Sequence, residues 1–361
     1  MGSGRRATDL NDVDALRALD AGDMLGAVSS TPRHVREGYE AAMATDGLPL
    51  ADGVTGVAFC GMGGSAIAGD VLRATYGDRL VLPVEVVRSP IVPAWVGPHS
   101  LVICSSYSGG TSETLSCFEE ARARGARIVP ITSGGRLAER AVELGAAPVR
   151  IPGGYLPRAA LGYLAFALLG TMERVGLLPR LQDDVTDGIS VLEPLVDALG
   201  PEVPVERNEA KALARRIGDR QPVIWGAEGV GSAAAGRWKA QMNENGKVPA
   251  WAAALPELDH NEVVGWSDRR GEGSFVIALR DEAEHPDVAA RFPISLEIAR
   301  DAGAATEEVW ATGRDRLSRF LSLAIMGDFT SCYVGLGHGI DPSPIDAIVR
   351  LKEFLDEGEQ S

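Results

Sequence analysis

Cysteine is scarce: four in 361 residues. Cys60, Cys104, Cys117 and Cys332 form no CxxC pair, and no histidine stands near them at metal-ligand spacing. Neither a disulfide framework nor a zinc site is expected, and Cys60 and Cys104, which end apolar strand-like runs, read as buried thiols. Long hydrophobic runs are missing too. The longest, Ala159 to Gly170, falls short of the roughly 20 residues that cross a bilayer and reads as a buried helix. The opening MGSGRRATDL has two arginines but no apolar run behind them, so no secretory leader is expected and the cytosol is the expected compartment. Positive charge is in deficit, with 35 Lys and Arg against 50 Asp and Glu, a net −15, and no basic cluster. Nucleic acid and anionic membrane are therefore poor partners and are not expected. A phosphorylated metabolite is not, because a few amides and cations can bind phosphate inside an acidic protein.

What is present is a chain 45% hydrophobic, too long for one ordinary core and apolar enough for two. After an N-terminal helical arm, apolar β-rich segments at 54–61, 82–88, 101–107, 127–133 and 148–152 alternate with helix-like segments at 65–76, 111–124 and 135–144. That alternation predicts parallel βαβ units and a doubly wound α/β sheet. The second half repeats it, with strands at 221–227, 248–255, 274–280 and 306–311 and helices at 208–218, 232–245, 287–302, 315–334 and 345–356. Two similar α/β domains follow, 1–180 and 205–361, with a hinge in the turn-rich segment 180–206. The echo of Gly64-Ser65-Ala66-Ile67-Ala68-Gly69 in Gly231-Ser232-Ala233-Ala234-Ala235-Gly236, each after a strand and opening a helix, points to duplication.

Two loops of the first half suit an anion. Gly63, Gly64 and Ser65 join a strand to a helix, where free N–H groups and the positive end of the dipole converge. The same glycines match a loose dinucleotide pattern, with Glu85 as its ribose ligand. The loop from Ser105 to Thr114 discriminates better, since it sets several hydroxyls and two glycines between a strand and a helix. Capping by Thr111 or Ser112 explains one or two of these hydroxyls. A phosphate explains the set, with Ser106, Ser108 and Thr111 as ligands. Laying LVICSSYSG on FVIALRDEA puts Ser106 against Arg280 and Ser108 against Glu282, where acids would repel phosphate. One phosphate pocket, in the first half, is the consequence.

The segments GMGGSAIAGD (61–70) and SYSGGTSET (106–114) resemble the SIS (sugar isomerase) domain. With Tyr155-Leu156-Pro157-Arg158, Asn243-Glu244-Asn245, the run from Pro256 to Glu262, Asp341-Pro342-Ser343-Pro344 and Lys352, the chain resembles the bifunctional phosphoglucose/phosphomannose isomerase family over most of its length. The resemblance implies an enzyme that interconverts glucose 6-phosphate with fructose 6-phosphate through a cis-enediol, without metal or redox cofactor, and leaves acceptance of mannose 6-phosphate open. It implies Glu244 as the base, His260 as the ring-opening acid/base in its own or the opposite subunit's site, Arg158 as the cation beside the enediolate, Lys352 in ring opening or substrate binding, and a homodimer with shared active sites. Gly246-Lys247 departs from the family's Ala-Lys, and Gly109-Gly110 from its Gly-Asn.

The chemistry asks for the same kinds of group: a base to move a proton between C1 and C2, an acid/base near neutral pH, and positive charge at the enediolate. The plainer readings are a solvated Glu244, a structural His260, an Arg158 salt bridge and a water-facing Lys352. A non-catalytic phosphosugar sensor would keep the hydroxyl loops without needing Glu244, His260 or Arg158. A nicotinamide-dependent oxidoreductase would leave the serine loop unexplained.

Overall fold

Residues 7–358 are described by the computed structural model. An arm of three helices, α1 (Val13–Leu19), α2 (Met24–Ser29) and α3 (Thr31–Met43), leads into β1 (Gly56–Cys60), α4 (Gly64–Tyr76), β2 (Val84–Val87), β3 (Ser100–Ser105), α5 (Ser112–Ala123), β4 (Arg127–Thr132), α6 (Gly135–Glu143), β5 (Val149–Arg150) and α7 (Leu161–Arg174). The next helices are α8 (Gln182–Leu199) and α9 (Glu209–Ile217). The chain continues through β6 (Gln221–Ala227), α10 (Val230–Glu244), β7 (Trp251–Leu255), β8 (Ser274–Arg280), α11 (Pro286–Ala289), α12 (Phe292–Asp301), β9 (Ala305–Trp310), α13 (Arg316–Gly337) and α14 (Asp346–Gly358).

Both sheets are wholly parallel. Their orders are β2-β1-β3-β4-β5 and β7-β6-β8-β9, so the second sheet retraces the first four strands of the first and lacks an equivalent of β5 among the described residues. Their central strands are buried along nearly their whole length, as expected where helices cover both faces. The duplicated glycine segments behave alike, with α4 opening at Gly64 and α10 at Val230, each directly behind the first strand of its sheet.

The largest apolar cluster crosses from one half to the other. It joins Phe59 and Ile103 of the first sheet to Ile224 and Ile277 of the second through Leu164, Trp238 and Phe329 of α7, α10 and α13. Smaller clusters lie on the outer faces, one around Cys60, Cys104, Cys117 and Phe118 and one around Trp225, Phe292 and Leu296. All four cysteines are buried and free. Helix α13 is long and apolar enough to cross a membrane, yet 94% of its most apolar stretch is buried inside the protein, as befits a core helix.

The hinge expected at 180–206 is not a loop. Helix α8 fills most of it, packed on α13 and α3. The aspartates that suggest a turn, Asp183 and Asp184, occupy the first turn of α8, where negative charge is favoured. Val185, Ile189 and Leu192 then fall on one buried stripe.

Candidate active site

The two anion-directed loops meet at the carboxyl ends of β1 and β3, which are neighbours in register, with Cys60 opposite Cys104. Ligands in open parallel sheets bind at this kind of place. The Ser65 hydroxyl accepts the Tyr107 N–H at 3.3 Å, joining one loop to the other. Thr111 stands at the N-cap of α5 but makes no capping hydrogen bond. Its hydroxyl instead lies 2.8 Å from that of Ser106, which accepts the Gly109 N–H at 3.1 Å. Ser108 accepts the Gly110 N–H at 3.3 Å, and Ser112 donates to Glu113. Capping therefore does not account for the hydroxyls. Ser65 and Ser106 are buried at the floor, Thr111 and Gly64 are half-buried, and Ser108 and Gly63 are exposed at the rim.

The second half enters through Arg158, which lies in a 3-10 turn, Pro157–Ala159, and is 3% exposed. A Cβ on Gly64 would come within 2.9 Å of the Pro157 carbonyl oxygen, so the cradle and this turn are in direct contact and only glycine fits between them. From the other side the guanidinium reaches the C-terminal end of α10. Nε donates to the Asn245 Oδ1 at 2.6 Å, and Nη2 donates to the Pro342 and Ser343 carbonyls at 2.8 and 2.9 Å. Nη1 approaches the Glu244 carboxylate at 3.5 Å. Five N–H donors are available and four are used, so one Nη1 donor beside Glu244 has no acceptor among the described residues. Burial pushes the Arg158 pKa down, and the Glu244 carboxylate opposes that shift.

A second group of residues that fix Arg158 escaped the sequence reading. Arg237 and Asp328, both buried, pair across α10 and α13 at 2.6 Å, and Arg237 also donates to the Arg158 carbonyl at 3.0 Å. Gln241 holds the other Asp328 oxygen at 2.9 Å, and Asn245 donates to Ser331 at 3.1 Å. A signal was available: Asp328 is the single acid within the apolar run of α13. Removing either member of such a pair strands a buried charge.

His260 and Lys352 are not brought to this point within one chain. His260 is exposed in a 3-10 turn, Glu257–His260, behind the edge strand β7. Lys352 is exposed on α14. Of the cavities, one of about 540 Å³ reaches Glu244 from the α14 side, past Asn243, Lys247, Asp341 and Pro344. Its lining includes none of the cradle hydroxyls, so Arg158 is the described link between cradle and carboxylate. Glu85 lies inside β2, exposed, and accepts the Trp95 indole N–H at 3.0 Å.

Comparison with known proteins identifies the family and the fold. Residues 56–148 match the SIS domain family, and residues 206–355 match the bacterial phospho-glucose isomerase C-terminal SIS domain. A bifunctional phosphoglucose/phosphomannose isomerase of Caldicellulosiruptor bescii is 37% identical over 336 residues, 92% of this chain and 99% of that protein. One from Aquifex aeolicus is 37% identical over 302 residues, 83% of this chain and 90% of that protein. Among solved structures, a hypothetical protein from Thermus thermophilus shares the fold with a TM-score of 0.73 at 16% identity, covering 96% of this chain and 94% of its own.

Proposed function

The chain belongs to the bifunctional phosphoglucose/phosphomannose isomerase family, and we propose that its chemistry runs through one site, the first half holding the substrate phosphate and the second supplying the base. It is an aldose-ketose isomerase acting on glucose 6-phosphate and fructose 6-phosphate. The observation that carries the site assignment is the position of Arg158, whose turn lies against Gly64 and whose guanidinium faces Glu244.

Ser65, Ser106, Ser108 and Thr111, with the amides of Gly63 and Gly64, take the phosphate. Glu244 removes the proton from C2 of the open-chain aldose; the electron pair of that C–H bond becomes the C1–C2 double bond while the C1 carbonyl pair moves onto O1, which takes up a proton to give the cis-enediol. O2 then gives up its proton, balancing the one gained by O1, and re-forms a carbonyl at C2 as Glu244 returns the proton to C1, which completes the ketose. The electrons stay within the substrate, so the step calls for no redox carrier. Nη1 of Arg158 meets the negative charge that develops on the enediol oxygen, and a donor already held in place there costs little reorganisation. Glucose and mannose 6-phosphates give the same enediol, so action on both requires proton return to either face of C2.

His260 opens the ring in the site of a second copy, a role its exposed position at a sheet edge supports, and Lys352 assists there. The assembly is accordingly a homodimer with shared active sites. The division at 1–180 and 205–361 assigns phosphate binding to one domain and the base to the other, with α8 between them. The enzyme works in the cytoplasm on glycolytic hexose phosphates. The test is a coupled assay of purified protein with glucose, mannose and fructose 6-phosphates offered separately. Turnover of glucose and fructose 6-phosphates is expected, and none on any of the three would contradict the reading.

A further inference from the structure

Among the charged groups around Glu244, one has no part in the chemistry just described. Lys247, three residues after the base, bends back so that its ammonium donates to the Glu244 carbonyl, to the Pro342 carbonyl at 2.8 Å and to the Pro344 carbonyl at 2.5 Å. All three of its N–H donors are thereby used. The Pro342 carbonyl also accepts from Arg158, so one oxygen is shared by the two cations that flank the base.

The backbone is bent to reach this arrangement. Lys247 has φ +54°, a left-handed conformation that costs a side-chain-bearing residue about 1–2 kcal/mol. Gly246, the usual kind of residue for that conformation, is committed elsewhere. A Cβ there would come within 2.8 Å of the Met242 carbonyl oxygen and 3.3 Å of Val334. The left-handed turn passes to the lysine, and its side chain takes up the carbonyl that the end of α10 leaves free. A cation at this end of the helix also faces the negative end of the dipole. Lys247 is half-buried, and burial followed by the neighbouring Arg158 pushes its pKa down, against the pull of Glu244, Asp341 and Asp346.

We propose that Lys247 is a positioning residue for the isomerisation: by tying the end of α10 to the turn at 342–344, which also holds Arg158, it fixes the Glu244 carboxylate relative to the Arg158 guanidinium. The proposal rests on the isomerase reading above. It differs from an ordinary structural role in what it requires of the proton transfer. A base held loosely still binds the sugar, because the phosphate contacts lie in the other half, but it reaches C2 less often.

The experiment compares wild type, Lys247→Met and Lys247→Arg on glucose 6-phosphate and on the same sugar deuterated at C2. Lys247→Met should lower kcat by about 30-fold or more, in the range expected from displacing a catalytic group by about 1 Å. Its KM should stay within about threefold, since uniform binding is untouched. Its deuterium isotope effect should rise, because removal of the C2 proton has become the slow step. Lys247→Arg, which keeps a cation with several donors, should recover most of the loss. If Lys247→Met does not melt cooperatively, Lys247→Gln carries the same three expectations. An unchanged kcat, a KM that rises in step with any loss, or an unchanged isotope effect in the folded variant would overturn the proposal. A wild-type protein inactive on all hexose phosphates would instead overturn the isomerase reading.

Discussion

The two halves share a strand order and a glycine-opened helix, yet their third loops have opposite fates. After β3, the chain turns through Ser106, Ser108 and Thr111, whose hydroxyls line an open cradle. After β8, the corresponding turn begins with Arg280, 6% exposed, its guanidinium 4.0 Å over the Phe292 ring and 4.6 Å over Trp310. Arg280 pairs with Glu284 at 3.1 Å and with Glu308, and Glu284 also accepts the Asp281 N–H at 2.8 Å. A carboxylate of the protein's own thus takes the donors that a bound anion would take. Sequence alone assigns the loss of binding to repulsion by Asp281 and Glu282. Glu282 in fact faces solvent, and Glu284 fills the place. Duplication supplied two equivalent loops, and the difference between them is whether the anion comes from outside or from within.

Breaking the internal pair is the severest test of that contrast. Arg280→Met leaves Glu284, whose side chain is 3% exposed, without its partner, and should cost about 3 kcal/mol or more in urea denaturation. The KM for fructose 6-phosphate should hold. A KM raised tenfold with stability intact would mean that the second loop serves the ligand after all.

Ser108→Ala probes the open loop. It removes one donor to a charged group, worth about 1.5 kcal/mol, so KM should rise about tenfold while kcat stays within about twofold. An unchanged KM would leave the rim serine outside the site.

A third prediction concerns the arm of the first half. His34 on α3 is fully buried, stacked on Tyr163 with centroids 4.3 Å apart, and neither ring nitrogen has a hydrogen-bond partner. Burial, with Arg33 nearby, pushes its pKa from 6.5 down to about 4. A group whose folded pKa is depressed contributes stability that is complete above its unfolded pKa and is lost as pH falls through the folded one. Stability should therefore decline as pH drops from 6.5 toward about 4, and His34→Phe should flatten that decline. Equal slopes for the two proteins over this interval would remove His34 from the acid response.

What the sequence made legible follows from how local each signal is. Strands such as SLVICS and SFVIALR, buried on both faces, announce themselves by continuous apolar character. The cradle was readable because hydroxyls and glycines concentrate within ten residues. Helix α8 was hidden because Asp187-Gly188 and Pro194 carry turn signals, while its buried stripe depends on α13 and α3, far away in the chain. Glu244, Arg158 and His260 are candidates through resemblance to a family. Their separation into a buried arginine beside a half-buried glutamate and an exposed histidine is tertiary information. The Arg237–Asp328 pair and the clasp of Lys247 on two proline carbonyls join residues about 90 positions apart, which no local pattern encodes.

One sugar phosphate is to be held by the first half and worked on by the second, and Glu244→Gln separates these two acts most directly. The variant keeps the shape of the base and every cradle group but cannot accept the proton. Kinetics and a thermal melt with and without fructose 6-phosphate would be measured together. The account predicts that the ligand still raises the melting temperature while kcat falls at least about 10²-fold, the usual worth of a general base. Wild-type turnover in Glu244→Gln, or loss of ligand stabilisation along with turnover, would contradict it.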